Sequence, residues 1–322
     1  NTMRLGLLAV AGAATTLAVQ AATAQVVGLG TTKGGVLDSV SVTVAKVVSS
    51  HAGLQMRTEP MGGTQQYIPI VNAGQLEFGM SNAMQYSMAY NGTGLSEGQK
   101  HDNLRVVAQL MVFRTAPIVP RDSAIKTVAD IKGKRVPHGF KGAPLFQTYF
   151  TGYLANGGLT WDDVVKVPVV GLRQQWDAMK QGKVEFGIGQ PGSSTNIELN
   201  STVPNGGIRQ LSLDTDTPGA KKMLSIMPQA FYIKMQPDKK YPAIVGPTTV
   251  MGLSMLVFTH KGAADDVVYK VAKTFYDQEA AFKATSPVWE TYSRDGVAPD
   301  IGMPYHPGAV KAYREKGVYK AG

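Results

Sequence analysis

The chain has 322 residues, of which 43% are hydrophobic, and it contains no cysteine. It is long enough for one large hydrophobic core or two smaller ones, and the lack of cysteine excludes disulfide bonds, thiolate chemistry and cysteine-based metal sites. The formal net charge is +9, but no basic stripe with interleaved aromatic residues accompanies it. The charge therefore favours solubility or the steering of an anionic ligand over nucleic-acid binding.

Residues 1–24 are typical of a secretory signal peptide. Arg4 precedes an apolar run over residues 5–19, and Ala22-Thr23-Ala24 offers an A-x-A cleavage site. The alternatives are a buried N-terminal helix or a retained membrane anchor. The run is too short for a membrane-spanning helix, and no later stretch reaches the roughly 20 apolar residues that a span needs. We therefore expect an exported, soluble protein.

The first half alternates between strand and helix patterns. A strand over residues 26–30 leads through a turn into a predicted helix, and another strand follows at residues 54–58. The segment Gly62–Asn91 predicts a glycine-rich turn, a short helix, a strand and a second helix. Residues 104–119 predict a long strand that leaves this half.

Part of that segment recurs further along the chain. Gln181–Gln190 repeats Ala73–Asn82, with glycine, glutamate, phenylalanine and glycine in identical places. We therefore expect two similar halves with the functional site between them. The copies end differently, in Ser81-Asn82 and in Gly189-Gln190, and we expect ligand selectivity to arise there.

The second half shows the same alternation. A short helix is predicted over residues 123–133, and a strand at 135–137 leads through a loop into a helix that begins at Pro144. A strand at 165–170, a helix and the repeated strand follow. These patterns predict an α/β protein with mostly parallel sheets.

The last third of the chain is harder to interpret. Residues 199–248 are rich in Pro, Gly, Thr and Asp and predict no clear elements. Residues 250–259 predict a long return strand, and Asp265 or Asp266 would cap the helix that follows. A final turn and helix are predicted at 304–317.

Two long strands, one outward and one back, predict two lobes with a ligand cleft between them. We expect residues 25–113 and 254–322 to form lobe 1 and residues 114–253 to form lobe 2. In open α/β sheets the ligand crevice lies at the carboxyl ends of the strands. The turns between strands and helices are therefore the candidate site.

These turns bring helix N-termini, which favour anions, to the predicted cleft. Lys33, Lys141 and Arg173 lie in the turns and Arg114 lies on the outgoing strand. Each could instead be a solvated surface cation, but we expect at least two to face a carboxylate. The candidate ligand-binding residues are Thr31, Thr32, Lys33, Gly63, Thr64, Ser81, Asn82, Arg114, Phe140, Lys141, Gly142, Ala143, Arg173, Gln190 and Pro191.

The sequence offers little for catalysis. The five histidines have no metal-binding spacing, and no nucleotide-binding motif is present, so no metal or cofactor is expected. One alternative is an exported serine hydrolase, because Gly79-Met-Ser81-Asn-Ala83 differs from a nucleophile elbow by one residue. His260 and His306 follow it in the order a hydrolase requires. The second copy of the repeat, however, has no serine.

Several segments occur in a distinctive order that covers most of Gln25–Val318. They are Gly30-Thr31-x-x-Gly34-Gly35, Met61–Thr64, Gly74-x-x-x-Phe78-Gly79, Asp122–Val136, Gly158–Asp163, His306–Ala309 and Tyr313–Gly317. This order resembles the TAXI family of solute-binding proteins, which are receptors of a class of tripartite ATP-independent periplasmic (TRAP) transporters.

The resemblance implies a type II periplasmic-binding-protein fold, with two α/β lobes joined by hinge strands. It also implies a periplasmic receptor that hands a small organic acid, such as glutamate or 2-oxoglutarate, to an integral-membrane TRAP permease. We expect a monomer and no enzyme activity. A receptor for an ABC or tricarboxylate-type transporter remains an alternative with the same fold.

Two turns depart from the family pattern. Val36-Leu37-Asp38 stands where the family often has Tyr-Tyr-Pro, and Gly139–Pro144 replaces a turn similar to Gly-Pro-Pro-Gly-Ser-Gly. Both lie in predicted ligand turns, so the ligand could differ from the family's commonest one. Lys141 favours a ligand with a second carboxylate, that is, a dicarboxylate.

Overall fold

The computed structural model describes residues 24–320, so the predicted signal peptide lies outside the described residues except for Ala24. The strands are β1 (Gln25–Thr32), β2 (Leu54–Met61), β3 (Phe78–Asn82), β4 (Leu104–Pro120), β5 (Arg135–Gly139), β6 (Val165–Val169), β7 (Gly187–Gly189), β8 (Ile208–Gln210), β9 (Phe231–Met235) and β10 (Thr248–His260). The α-helices are α1 (Gly35–His51), α2 (Thr64–Asn72), α3 (Ala83–Asn91), α4 (Pro144–Asn156), α5 (Leu172–Lys180), α6 (Ser194–Thr202), α7 (Pro218–Ile226), α8 (Asp265–Asp277), α9 (Glu279–Lys283) and α10 (Pro307–Glu315). None of these helices is long and apolar enough to cross a bilayer.

The main sheet is built around β4 and β10, which pair antiparallel from Thr115–Met251 to Leu104–His260. The strand order is β2-β1-β3-β10-β4-β7, with β8 added to β4 and β9 added to β10. β5 and β6 form a separate parallel pair. The expectation of mostly parallel sheets is wrong, because every strand that pairs with β4 or β10 does so antiparallel.

Two main hydrophobic cores divide the molecule. The first contains residues between 27 and 111 and between 255 and 318. The second contains residues between 119 and 253 together with Met84 and Met88. The change from one core to the other occurs within β4 and within β10. The predicted fold of two α/β lobes joined by two long strands is confirmed, while the predicted lobe boundaries remain a prediction.

Helix α3 lies between these two cores. Tyr86 and Ala89 belong to the first core, and Met84 and Met88 belong to the second. A helix that is surrounded by protein carries apolar residues on opposite sides. α3 is therefore shared by the two lobes, although it follows the first-lobe strand β3 directly.

Two predicted local structures differ from those observed. The helix predicted over residues 123–133 is reduced to a 3₁₀ turn at Val128–Ile131, which Thr127 and Asp130 cap by reciprocal hydrogen bonds. Helix α8 begins at Asp265 after an uncapped Ala264, so the aspartates lie in its first turn and do not cap it. Acidic residues in a first turn still favour the helix, because its N-terminus carries partial positive charge.

Gly79 leaves room for Phe258 in the first core. The two residues are cross-strand partners between β3 and β10, and a Cβ atom at Gly79 would lie 2.5 Å from the Phe258 ring. Phe258 is fully buried. The backbone of Gly79 is not left-handed, so glycine is required here for space.

We expect Gly79→Ala to lower the free energy of unfolding by about 1–3 kcal/mol, because the added methyl group would overlap the Phe258 ring. Gly246→Ala is the matched control, since no atom lies within 4 Å of a Cβ atom at that position. The control should change stability by less than about 0.5 kcal/mol. Urea denaturation measures both, and equal stabilities of the two variants would contradict this packing role.

Candidate functional site

The first-lobe candidates gather at one end of the main sheet, because β1 and β3 are parallel neighbours whose carboxyl ends lie side by side. Thr31 is fully buried, and its hydroxyl donates to the Leu37 carbonyl at 3.4 Å. Ser81 is also fully buried, and its hydroxyl donates to the Asn82 carbonyl at 3.1 Å. Lys33 is exposed. Of these residues, the lysine side chain is therefore the one available to solvent.

A network of buried amides and hydroxyls continues from this edge. The Asn82 side chain caps α3 by accepting from the Gln85 backbone N–H at 2.9 Å, and its Nδ2 donates to Gln85 Oε1 at 2.9 Å. Gln85 Nε2 donates to Thr64 Oγ1 at 2.5 Å. Sequence reasoning missed Gln85, although its place three residues after a capping asparagine is a recognisable pattern.

The network crosses from one lobe to the other. Asn82 Nδ2 also donates to the Tyr149 hydroxyl at 3.2 Å, and Tyr149 lies on α4 in the second core. Burial raises the pKa of Tyr149 far above its ordinary value. The hydroxyl therefore stays protonated, and this contact between the lobes is a hydrogen bond between neutral groups.

A second tyrosine contacts the ends of both β1 and β3. The Tyr67 hydroxyl donates to the Met80 carbonyl at 2.5 Å and lies 3.4 Å from Thr32 Oγ1. Burial raises the pKa of Tyr67 well above its ordinary value. Gly63, another candidate, is half-buried and precedes the first residue of α2.

In the second lobe the turn after β5 presents a cation to solvent. Lys141 and Gly142 are exposed, and the Gly142 backbone N–H donates to the Val170 carbonyl at 2.9 Å. Ala143 immediately precedes α4 and is half-buried. This places Lys141 next to the turn that follows β6.

Phe140 belongs to the second core. Its side chain is fully buried and lies with its ring 5.2 Å from the Phe150 ring. Its backbone has a φ of 41°, which turns the side chain of this loop residue inward at some conformational cost. In this conformation the side chain has no exposed surface for a ligand.

The remaining second-lobe candidates lie at the starts of α5 and α6. Arg173 is exposed in the first turn of α5. Gln190 is half-buried and its carbonyl accepts from the Ser193 N–H at 3.1 Å, whereas Pro191 is buried. Lys141 and Arg173 are thus the exposed cations among the second-lobe candidates.

Arg114 is engaged by other protein groups. Its guanidinium donates to Glu290 Oε1 at 2.9 Å and to the Tyr241 hydroxyl at 3.1 Å, and it lies over the Tyr241 ring. Tyr241 also bonds to the Glu290 carboxylate, and Lys240 Nζ lies 3.5 Å from Glu290 Oε2. This cluster joins the C-terminal part of the first lobe to the second lobe.

The charge state of Glu290 follows from these contacts. Burial raises the pKa of the Glu290 carboxyl, but hydrogen bonds from Tyr241 and Arg114 and the positive charges of Arg114 and Lys240 outweigh it. The pKa of Glu290 therefore lies below its ordinary value. The carboxylate is charged at neutral pH, and it competes with any ligand carboxylate for Arg114.

The geometry does not support a hydrolase centred on Ser81. Ser81 is opposite Leu256 on β10, and His260 lies four residues further along that strand, about 13 Å away at about 3.3 Å per residue. His306 lies near the His260 end of β10. Its backbone N–H donates to the Val106 carbonyl, and its ring faces Asp265. A general base must lie within about 3 Å of its nucleophile.

Two cavities of the described residues bear on the candidate site. One of about 130 Å³ is lined by Thr64 and Gln85 and by Leu95, Glu97 and His101. A larger one of about 390 Å³ lies between α4 and α7 and contains none of the candidate residues. Within residues 24–320, no group of three or more histidines or acidic residues is arranged to hold a metal ion.

A sequence model of the NMT1-like family matches residues 29–317, which is most of the chain. The protein belongs to the NMT1-like family. Among solved structures, this NMT1-like protein is similar to the periplasmic binding protein BugD, with 14% identity, 92% of this chain and 99% of that chain covered, and a TM-score of 0.56.

Two further structures resemble this NMT1-like protein. The alkanesulfonate-binding protein SsuA from Xanthomonas axonopodis pv. citri, bound to MOPS, has 16% identity over 91% of this chain and 92% of that chain, with a TM-score of 0.51. A binding protein component of an ABC phosphonate transporter from Pseudomonas aeruginosa has 11% identity over 84% of this chain and 82% of that chain, with a TM-score of 0.51. At these identities the comparison establishes the fold, which is that of periplasmic binding proteins.

The Glu290 cluster predicts an acid-sensitive contribution to stability. Because the pKa of Glu290 is lowered in the folded state, its contribution is present above the ordinary glutamate pKa of about 4.3 and is lost as the pH falls through the lowered value. We expect Glu290→Gln to cost about 1 kcal/mol at pH 7 and progressively less as the pH falls below about 4.3.

Urea denaturation of the wild type and Glu290→Gln from pH 7 to pH 3 measures this difference. Glu59→Gln, at an exposed position on β2, is the control for loss of one negative charge. A difference between Glu290→Gln and wild type that stays constant with pH would contradict the ionic role of Glu290.

Proposed function

We propose that this NMT1-like protein is a periplasmic receptor that binds a small organic anion between its two lobes and delivers it to a membrane permease. The observation that carries the proposal is the placement of exposed cations in strand-end turns of both lobes. Lys33 follows β1, Lys141 follows β5 and Arg173 lies in the first turn of α5. A ligand held between such turns would meet positive charge from two sides.

Electrostatics at these turns favour an anion for two reasons. Within residues 24–320, Lys33, Lys141 and Arg173 form no salt bridge, in contrast to Arg114. Helices α4 and α5 also begin at these turns, and their N-termini add partial positive charge and free N–H groups. A micromolar receptor needs about −8 kcal/mol, which one or two charge-assisted contacts and several backbone donors can supply.

The relatives' names agree with an anionic ligand. SsuA is named as an alkanesulfonate-binding protein, and the Pseudomonas protein as a component of a phosphonate transporter. Sulfonates and phosphonates are organic anions. We propose a carboxylate ligand for this chain, a dicarboxylate such as glutamate or 2-oxoglutarate, on the basis of its resemblance to TAXI receptors and the additional Lys141.

A thermal-shift screen of carboxylates, sulfonates and phosphonates tests the ligand class, and we expect dicarboxylates to give the largest increase in melting temperature. Lys141→Gln and Arg173→Gln should each weaken binding of the best ligand about tenfold, because each removes one charge-assisted contact. Lys183→Gln is the matched control. It removes the same charge at an exposed residue that precedes β7, at the opposite end of that strand.

Calorimetric titration compares the three variants. The proposed site would be refuted if the Lys183 variant lost as much affinity as the other two. The anionic ligand class would be refuted if neutral or cationic solutes stabilised the protein and no organic anion did.

We propose a TRAP permease as the partner and a monomeric receptor, with an ABC transporter as the competing assignment. The resemblance to TAXI receptors favours the first, and the phosphonate-transporter relative favours the second. The receptor's operon-encoded permease, reconstituted in vesicles, distinguishes them. We expect receptor-dependent uptake to follow an imposed ion gradient without ATP, and uptake that requires ATP would assign the protein to an ABC system.

A further inference from the structure

Three buried polar atoms without a hydrogen-bond partner among residues 24–320 gather around one residue of the second lobe. They are Asn196 Nδ2, Asn196 Oδ1 and Gln210 Oε1. Asn196 is 2% exposed and Gln210 is 4% exposed. Buried polar groups in native proteins are nearly always paired, so this cluster requires an explanation.

The side chains that carry these three atoms both pack against Gly189, the last residue of β7. Its carbonyl accepts from Gln210 Nε2 at 3.3 Å and from the Thr115 hydroxyl at 3.2 Å. A Cβ atom at Gly189 would lie 2.3 Å from Asn196 Oδ1. The backbone of Gly189 is not left-handed, so the lack of a side chain there serves to admit the Asn196 amide.

Another buried amide packs against β7, and both of its polar atoms have partners. Gln175 Oε1 accepts from the Ile188 N–H at 3.1 Å, and Gln175 Nε2 donates to the Ile188 carbonyl at 3.2 Å. Gln175 approaches β7 over Gly187, as Asn196 does over Gly189. Both amides are buried against β7, but only the Gln175 amide has hydrogen-bond partners.

The first lobe gives a second comparison. Gln85 is the third residue of α3 after its cap Asn82, and Asn196 is the third residue of α6 after its cap Ser193. Both helices follow the repeated strand. The Gln85 side chain is bonded to Asn82 and Thr64, whereas the equivalent amide at Asn196 is unpaired. The equivalent amide in the second lobe is thus buried without a hydrogen-bond partner.

We infer that Asn196 and Gln210 form a ligand subsite that selects a hydroxyl or ammonium group. This inference rests on the proposed function. An amide presents one donor and one acceptor side whichever way it is turned, and Gln210 and Asn196 together present two amide oxygens. Asn196 Nδ2 is an unpaired donor beside these two acceptors, so a bound group that pairs the oxygens must donate a hydrogen bond. An ammonium group donates to the oxygens, and a hydroxyl group donates to an oxygen and can also accept from Nδ2.

A carboxylate fits this subsite poorly, because it could accept only from Asn196 Nδ2 and would leave both amide oxygens unpaired. The ligand would then be an organic acid that carries a hydroxyl or amino group, with its carboxylates at the exposed cations described above. Of the two acids named under the proposed function, the subsite thus favours glutamate over 2-oxoglutarate, whose keto group can only accept. The three atoms are closed to solvent in this conformation. The ligand group reaches them when the lobes open and is enclosed when they close.

A stability comparison tests the subsite without any ligand. Asn196→Leu should raise the melting temperature of the ligand-free protein by about 2 °C or more, because it removes an unpaired buried amide. Gln175→Leu should lower it, because the Ile188 backbone groups lose their partner. Ser201→Leu, at an exposed position of α6, corrects for the helix propensity of leucine. A fall in melting temperature for Asn196→Leu would overturn the inference.

Calorimetry with two ligand pairs, malate with succinate and glutamate with glutarate, tests the selectivity. In the wild type the donor-bearing member of at least one pair should bind about tenfold more tightly or better, and in Asn196→Leu this ratio should fall to about one. A ratio that is the same in both proteins would overturn the inference. If no organic anion binds the wild type, the proposed function fails, and the stability comparison still decides the role of Asn196.

Discussion

The antiparallel pairing of β4 and β10 is the contact on which both lobes depend. Each strand supplies residues to the first core at one end and to the second core at the other. A change in the angle between the lobes must therefore bend or twist this pair. The register is irregular between Ser254 and Leu256 and between Val257 and Phe258. Such bulges increase local twist and place bends where strands leave one layer for another.

Polar residues at the start of helix α3 contact both lobes. The helix is enclosed by both cores, and its capping residue Asn82 reaches Tyr149 in the second lobe while Gln85 reaches Thr64 in the first. A solute that displaced any one of these polar groups would leave another buried group unpaired, which costs about 1–3 kcal/mol. The polar network therefore connects the start of α2 in the first lobe to α4 in the second lobe.

Local patterns in the sequence predict the strands other than β8 and β9, most helices and the two-lobe fold, because burial imposes a period on each element. They could not predict partners far apart in the chain. Tyr149 is 67 residues from Asn82, and Glu290 is 176 residues from Arg114. The sequence predicts Phe140 as a ligand-binding residue, but its side chain is buried in the second core, where its positive φ turns it. Gln85 and Asn196 become informative only once the caps of their helices are known.

Strand β7 ends the path of strands that begins at β2. Its outer backbone groups at Ile188 are bonded to the Gln175 amide, and Trp176 Nε1 also donates to the Ile188 carbonyl at 2.9 Å. Unpaired edge strands promote pairing between chains and aggregation. Two side chains of α5 thus take the place of a neighbouring strand, and the Ile188 backbone groups are not available for β-pairing between molecules.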